Sequence, residues 1–398
     1  MIHAFCGERD CGGGNNPIGI VSDPTGDVFG VTYFGGAQAD GTVFEISSDG
    51  GSRKYRILHD FCTPPKCKDS IFPSAAPIID TKGNLYGTTL GSGFDDFGAI
   101  YQVSPNADRT QWTFRVLYRF AGLFDGYLPY GGLSYAGQAS GLPYDGVSPL
   151  YGTTMQGGGA YRGTVYRLVP KAGTNKWRYD VLHQFCLTDC RDGASPFAGV
   201  TVAANGLLYG TTQGGGAQGG GTVFALARGK RETDWSLSTL YSFCSIENCP
   251  DGAGPYTPVT LDSAGRLYGT TQAGAPCSAP NGCGVIFRLS EHGGTWRETI
   301  LHTFCGEENC ADGASPSGPL VMDDGYLFGA TSAGGAGDGV LFRLGRTYRV
   351  VHTFCAACTD GARPGGMLMQ SPSGILLGIT AGGGGNGGGT VFQFTPKL

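Results

Sequence analysis

Two adjacent acids, Asp95 and Asp96, sit between Phe94 and Phe97 in a glycine-rich stretch running from Gly91 to Gly98. Acids among aromatic rings suit carbohydrate, because rings stack on sugar faces and carboxylates accept sugar hydroxyls. The same groups suggest glycan cleavage, which needs two carboxyls roughly 5 to 9 Å apart across the scissile bond. Neighbouring residues of an extended segment point in opposite directions, so Asp95 and Asp96 make a poor catalytic couple with each other. Tyr33 and Phe34, and Tyr161 beside Arg162, place further aromatics and a cation in comparable loops. These eight residues form the candidate ligand-binding set.

Other residues look catalytic only until their spacing is read. His3, His59, His183, His302 and His352 each precede a Phe by two positions, with Tyr118 and Tyr241 standing in elsewhere. Asp69, Asp125, Asp192, Asp251, Asp312 and Asp360 each open a turn that leads to a Pro, and all but Asp69 are followed directly by Gly. A feature present in nearly every copy of a repeat serves the scaffold. Asp before Gly accepts backbone hydrogen bonds in a tight turn, and a half-buried His or Tyr makes one hydrogen bond. The recurring Thr from Thr32 to Thr380, and Trp112, Trp177, Trp235 and Trp296, read the same way, as loop acceptors and packing anchors. No nucleophile elbow, zinc-binding helix, phosphate loop or dinucleotide fingerprint occurs, and glycine runs such as Gly382 to Gly389 lack a strand-to-helix setting. No cofactor is expected.

Fourteen cysteines fall into seven close pairs: Cys6/Cys11, Cys62/Cys67, Cys186/Cys190, Cys244/Cys249, Cys277/Cys283, Cys305/Cys310 and Cys355/Cys358. Six pairs follow the same Phe and precede the same turn, the pattern of local disulfides made in an oxidising compartment. Cys355 and Cys358 have the spacing of zinc ligands, but a four-thiolate site needs a second such pair nearby, so no metal is expected.

The elements that position these groups follow from an internal repeat. Its core phrase is Leu-Tyr-Gly-Thr-Thr, as at Leu85 to Thr89 and Leu208 to Thr212. The phrase glycine falls at positions 30, 87, 152, 210, 269, 329 and 378, so the unit occurs seven times. Each phrase is followed by a glycine-rich loop and a Gly-Thr-Val-Phe run or close variant, such as Gly221 to Phe224. Every repeat carries four short apolar runs with turn residues between them and no helical periodicity, which is a four-stranded blade. Small residues open the first strand, for example Gly19, Ala76, Ala198 and Gly318, as expected where strands converge on an axis. The chain begins with a fourth strand, His3 to Phe5, and ends with a third, Thr390 to Phe394. Pairing these halves completes the seventh blade and leaves no open seam between the first and last repeats. The expected fold is therefore an all-β, seven-bladed β-propeller of four-stranded blades, closed by the N-terminal strand completing the last blade, with residues 1–398 as one domain.

This cadence resembles the GloVer tandem-repeat family of secreted bacterial proteins, over essentially the whole chain. The resemblance implies a secreted or cell-surface protein and no defined activity.

The 398 residues carry a net charge of −5 with 15% charged residues, leaving no basic surface for nucleic acid. No run of about 18 apolar residues occurs, so no transmembrane segment is expected. The first residues, Met1 to Cys6, lack the basic start and apolar core of an export signal, as in a mature domain from which it has been removed. Departures from the repeat are the places to look for function. Beyond the loops already named, the third repeat lacks cysteines and inserts Ser134 to Pro149 between its first two strands, and the fifth has an extra loop from Gly274 to Gly284. The expected role is a secreted binding propeller that recognises an extracellular glycan or protein through its loop face. The alternatives are a carbohydrate-active enzyme, glycoside hydrolase or polysaccharide lyase, using the same face, and a structural, self-assembling surface protein.

Overall fold

The repeat phrase and the Gly-Thr-Val-Phe run face each other directly. In a computed structural model describing residues 1–7, 11–49, 52–62, 67–91, 96–275, 283–335, 337–355, 359–371 and 373–396, the phrase glycine pairs with the third-strand aromatic in every blade. The pairs are Gly30 with Phe44, Gly87 with Tyr101, Gly152 with Tyr166, Gly210 with Phe224, Gly269 with Phe287, Gly329 with Phe342 and Gly378 with Phe392. The far end of the aromatic ring lies over the glycine, where any β-carbon would overlap it. Glycine is there for close approach, and the ring replaces the packing that a strand glycine forfeits.

Blade 4 shows the regular pattern. Its strands, lettered A to D from the axis outward, are Thr201–Val202, Leu208–Thr212, Thr222–Arg228 and Trp235–Ser242, paired antiparallel in that order. Seven such sheets form the described molecule, and blade 7 is the composite: Ala362–Gln370, Leu376–Gly382 and Thr390–Phe394, completed by His3–Ala4 pairing with Thr390 and Val391. Blade 3 keeps three strands, Leu150–Thr154, Thr164–Pro170 and Trp177–Gln184, while its innermost strand is reduced to one bridge between Ser134 and Tyr151.

The core is not central but divided among the seams. Seven apolar clusters each combine residues of two successive blades, including one that joins blade 7 to blade 1 through Phe5, Leu377, Ile20 and Phe44. At each seam the Phe ending strand D of one blade meets the strand C ring of the next at centroid distances of 5.0 to 5.6 Å, as in Phe185 against Phe224 and Phe243 against Phe287. The three conserved-looking parts of the repeat thus form one stack: Phe on ring on glycine. Truncating such a buried Phe to Ala costs about 3–5 kcal/mol.

The two threonines of the phrase divide the polar work. The second accepts the first amide of strand C and bonds its hydroxyl, as Thr212 does with Thr222 N at 3.1 Å and Thr222 Oγ1 at 2.8 Å. The first reaches across the seam, Thr153 Oγ1 donating to Ala198 O at 2.8 Å and Thr211 Oγ1 to Thr257 O at 3.0 Å. Glycine and alanine let the innermost strands come this close: a β-carbon on Gly199 would overlap Gly132 O of the preceding blade.

Candidate functional site

Antiparallel strands put the D-to-A and B-to-C loops on one face of the ring, here called the upper face. Its outer rim carries the repeated ring and carboxylate. His59 Nε2 lies 2.8 Å from Asp69, His183 2.8 Å from Asp192, His302 3.1 Å from Asp312 and His352 2.8 Å from Asp360, with Tyr118 and Tyr241 bonding Asp125 and Asp251 at 2.7 and 3.0 Å. The same carboxylates take loop amides, such as Cys186 N on Asp192 and Gly306 N on Asp312. The rings also stack across seams: His59 on Phe114 at 4.1 Å, Tyr118 on Tyr179 at 4.1 Å and His302 on Tyr348 at 3.7 Å. Burial lowers the pKa of His302, outweighing Asp312, so its neutral form is favoured. These groups have their partners already and tie loop to strand and blade to blade.

The cysteine loops belong to this rim. Disulfides join Cys6–Cys11, Cys62–Cys67, Cys186–Cys190, Cys244–Cys249 and Cys305–Cys310. Cys283 and Cys355 are also disulfide-bonded, while Cys277 and Cys358 lie outside the described residues. Both cysteines of each of the five bridges have positive φ, 62° and 55° at Cys186 and Cys190 for instance. Left-handed backbone costs a non-glycine residue about 1–2 kcal/mol, so each bridge holds a loop that its own residues disfavour. The cysteine-free loop of blade 3 supplies its positive φ with Gly122 and Gly126 and leaves Leu123 and Phe124 exposed.

Along the axis runs a channel of about 1550 Å³ lined by the A strands of all seven blades. Its walls are largely aliphatic, and its upper mouth is strongly uneven. The residue after the turn proline is Ile18, Ser74, Tyr130, Phe197, Tyr256, Ser317 and Gly365 in blades 1 to 7, and every one of them lines the channel. In blades 3 to 5 the three aromatics form one stack, Tyr130 on Phe197 at 4.4 Å and Phe197 on Tyr256 at 3.7 Å. Tyr33 and Phe34 continue the aromatic arc through blade 1, with Tyr33 stacked on Phe72 at 5.0 Å. Burial raises the pKa of Tyr33, Tyr130 and Tyr256, and Tyr33 and Tyr256 are raised further by Tyr130, so the phenols lie within electrostatic reach of one another. Blades 6 and 7 face this arc with Ser317, Gly365 and Ala381.

At the lower end, the blade 3 insertion packs under blade 2. Tyr144 is fully buried, its carbonyl accepts Thr81 N at 3.0 Å, and Gln138, Leu142 and Pro143 line the channel. The insertion therefore lies on the face opposite the aromatic mouth.

Of the residues singled out in the sequence, Tyr33 and Phe34 stand at the channel mouth. Asp96 accepts Ser70 Oγ at 2.5 Å and Gly98 N at 3.2 Å and pairs with Arg119 at 3.5 Å. Phe97 packs edge-on against Tyr127 at 5.8 Å. Tyr161 and Arg162 are exposed on the loop of blade 3, outside the channel lining. Phe94 and Asp95 lie outside the described residues. Sequence reasoning missed Tyr130, Phe197 and Tyr256; comparing the single position after each turn proline across repeats would have found them.

A ring of seam-packed blades around an axial channel defines a β-propeller with a ligand-sized mouth. The chain matches the Gloeobacter/Verrucomicrobia repeat over residues 1–144 and again over 138–392, and it belongs to that family. No protein of curated description matches it. Among solved structures, it is similar to polysaccharide lyase Uly1, with 12% identity and a TM-score of 0.54 over 98% of this chain and 90% of that one. It is also similar to the extracellular domain of a hybrid two-component system of B. thetaiotaomicron, with 12% identity and a TM-score of 0.53 over 93% of this chain and 39% of that one. At such identity these likenesses establish the fold alone. No helix among the described residues is long and apolar enough to cross a membrane.

Proposed function

We propose that the protein is a secreted or surface-held binding propeller that grips a glycan at the upper mouth of its channel and leaves it chemically unchanged. The observation that carries this reading is the Tyr130–Phe197–Tyr256 stack facing Tyr33. Elsewhere the phenols of Tyr118, Tyr144, Tyr179, Tyr241 and Tyr348 are bonded to protein. Those of Tyr33, Tyr130 and Tyr256 have no hydrogen-bond partner among the described residues and are free to meet sugar hydroxyls. Rigid rings with hydroxyl tips give contact area and hydrogen bonds at little entropic cost, which is what sugar recognition requires. The channel exceeds the 300–1,000 Å³ or so usual for a small-molecule pocket, leaving room for an oligomer. Disulfides in successive loops fit an oxidising, extracellular setting.

Cleavage is supported less well. A two-carboxyl hydrolase needs acids flanking the bound chain, and the acids lining the channel, Asp23 and Asp80, are at the far end and engaged in turns. The likeness to a polysaccharide lyase extends to the fold. The test is a glycan array followed by calorimetry on the wild type, Phe197→Ala and Tyr130→Phe. Selective binding of one glycan class is expected, weakened at least tenfold by Phe197→Ala and several-fold by Tyr130→Phe, with no new reducing ends or unsaturated products. Absence of any glycan ligand, or turnover of the bound one, would overturn the reading.

A further inference from the structure

We infer that the glycan held in the channel is uncharged, a chain of neutral sugars that carries neither uronate nor sulfate. This rests on the binding role proposed above and narrows it to a ligand class. Among the described residues that line the channel, the charged ones are Asp23, Asp80 and Arg109, and all three belong to the lower end. Asp23 accepts Thr25 N at 2.9 Å, Thr25 Oγ1 at 2.5 Å and Asp27 N at 3.1 Å on one oxygen, and pairs with Arg109 at 3.1 Å on the other. Asp80 accepts Lys82 N and Asn84 N at 2.9 Å on one oxygen, and Asn84 Nδ2 at 2.7 Å and Tyr86 OH at 3.0 Å on the other. Each charge is therefore spent within the protein.

The upper half offers only neutral groups: the phenols of Tyr33, Tyr130 and Tyr256, the amides of Asn16 and Gln272, and the Ser317 hydroxyl, which donates to Pro364 O at 2.6 Å and can still accept, set among aliphatic strand residues. Neutral sugar hydroxyls can exchange water for these donors and acceptors with little loss. An ionised carboxylate or sulfate would give up its hydration with no cation to replace it, and an unpaired charge in such surroundings is strongly disfavoured. Among the described residues, one cation that stands beside the channel wall on this side is Arg363 of blade 7. It is exposed, and its guanidinium lies over Gly382, next to the lining residue Ala381. It stands in water outside the wall, where an ionic contact is weak and screened by salt.

The test is calorimetry at pH 7, in low and high salt, with hexasaccharides of matched length. Neutral glucan, xylan, mannan and galactan hexamers are compared with hexagalacturonate and a sulfated hexamer, on the wild type, Phe197→Ala and Arg363→Ala, each variant first checked for native near-ultraviolet dichroism. The expected result is a neutral hexamer bound at least tenfold more tightly than any anionic one, insensitive to salt and to Arg363→Ala, and lost in Phe197→Ala. An anionic hexamer bound as tightly as or more tightly than the neutral ones, and weakened by Phe197→Ala or Arg363→Ala, overturns the neutral class while the channel remains a glycan site. If no hexamer of either charge binds, the binding role itself fails and takes this inference with it.

Discussion

The outer rim and the channel mouth are built from the same loops, yet they obey opposite rules. On the rim, six blades place a His or Tyr beside the Asp of the turn, at 2.7 to 3.1 Å. At the mouth, a few residues further along each loop, the position after the proline holds isoleucine, serine, tyrosine, phenylalanine, tyrosine, serine and glycine in turn. The rim offers acids and imidazoles, with the pKa of His302 depressed by burial, and it pairs each of these rings with a carboxylate of the protein itself. The mouth offers almost no ionisable chemistry, and the phenols of Tyr33, Tyr130 and Tyr256 have no hydrogen-bond partner among the described residues. Repetition marks what the ring needs to close, and variation marks where blades have become unequal.

The sharpest way to break this distinction is a pair of truncations. Asp312 is buried and accepts Gly306 N, Glu307 N and His302. Asp312→Ala orphans these donors and is expected to cost about 2–3 kcal/mol in urea unfolding, with glycan affinity unchanged. Phe197→Ala should do the reverse, losing affinity with a much smaller loss of stability, because its ring is half-exposed at the channel. Equal effects of both on binding would erase the division of labour.

At one rim position an acid replaces the stacking ring. Where Phe114, Tyr179 and Tyr348 stack against the preceding blade, blade 5 has Glu298, 3.0 Å from the Tyr241 hydroxyl, which is also 3.0 Å from Asp251. A single phenol proton cannot serve two carboxylates, and burial, with Asp251 adding to it, raises Glu298 to about 7 from 4.5. A raised folded-state carboxyl pKa means that the contribution of this group is complete below about pH 4.5 and is lost as pH rises to about 7. Partial solvent screening limits the swing to about 1–2 kcal/mol. Glu298→Gln should remove that part of the slope, so the variant gains on the wild type between pH 4.5 and 7 and keeps the gain at pH 8. A difference between the two that is constant from pH 4 to 8 would show that Glu298 does not hold a proton in the folded seam.

Much of the scaffold was legible because a propeller repeats its instructions. The Leu-Tyr-Gly-Thr-Thr and Gly-Thr-Val-Phe runs specified strands B and C, and the leading strand D and trailing strand C specified closure, which His3 and Val391 accomplish. The same redundancy hid the site. Tyr130, Phe197 and Tyr256 are about 60 residues apart in the chain, and nothing local says that they touch. Only the ring brings equivalent positions of successive blades within stacking distance. The recurrent Asp of the turn reads as scaffold, and the Asp and Pro do hold the loop, but the residue after the Pro is not repeated. Tyr33 and Phe34 were found because they interrupt a glycine-rich loop, a local signal.

The strand C ring gives a smaller test of what repetition means. Five blades use Phe there, and blades 2 and 3 use Tyr101 and Tyr166, whose hydroxyls are buried without a hydrogen-bond partner among the described residues. If the ring serves only to cover its glycine, the hydroxyl is a liability, and Tyr101→Phe should raise stability by about 1 kcal/mol. A loss on removing it would mean that blade 2 has put this scaffold position to a use of its own.

The residue before each turn proline tests the same idea at the level of the backbone. Asn16, Phe72, Leu128, Ser195, Gly254, Ser315 and Arg363 all have φ between 53° and 62°, a conformation that resists every side chain present except the glycine of blade 5. The geometry is fixed by the seam: Ser195 N donates to Arg162 O of the preceding blade at 2.7 Å, and its carbonyl accepts Gln213 N at 3.1 Å. Both are backbone bonds and survive any substitution. Ser195→Gly therefore relieves left-handed strain while adding freedom to the unfolded chain, and the balance should be a gain of about 0.5 kcal/mol, or one to two degrees in Tm. Arg363 has the same φ and the same backbone role, since its amide bonds Asp338 O at 2.7 Å. Arg363→Gly should therefore stabilise by a similar amount, provided the arginine side chain contributes nothing to the fold. A loss there, against a gain at Ser195, would show that the Arg363 side chain over Gly382 contributes to the fold.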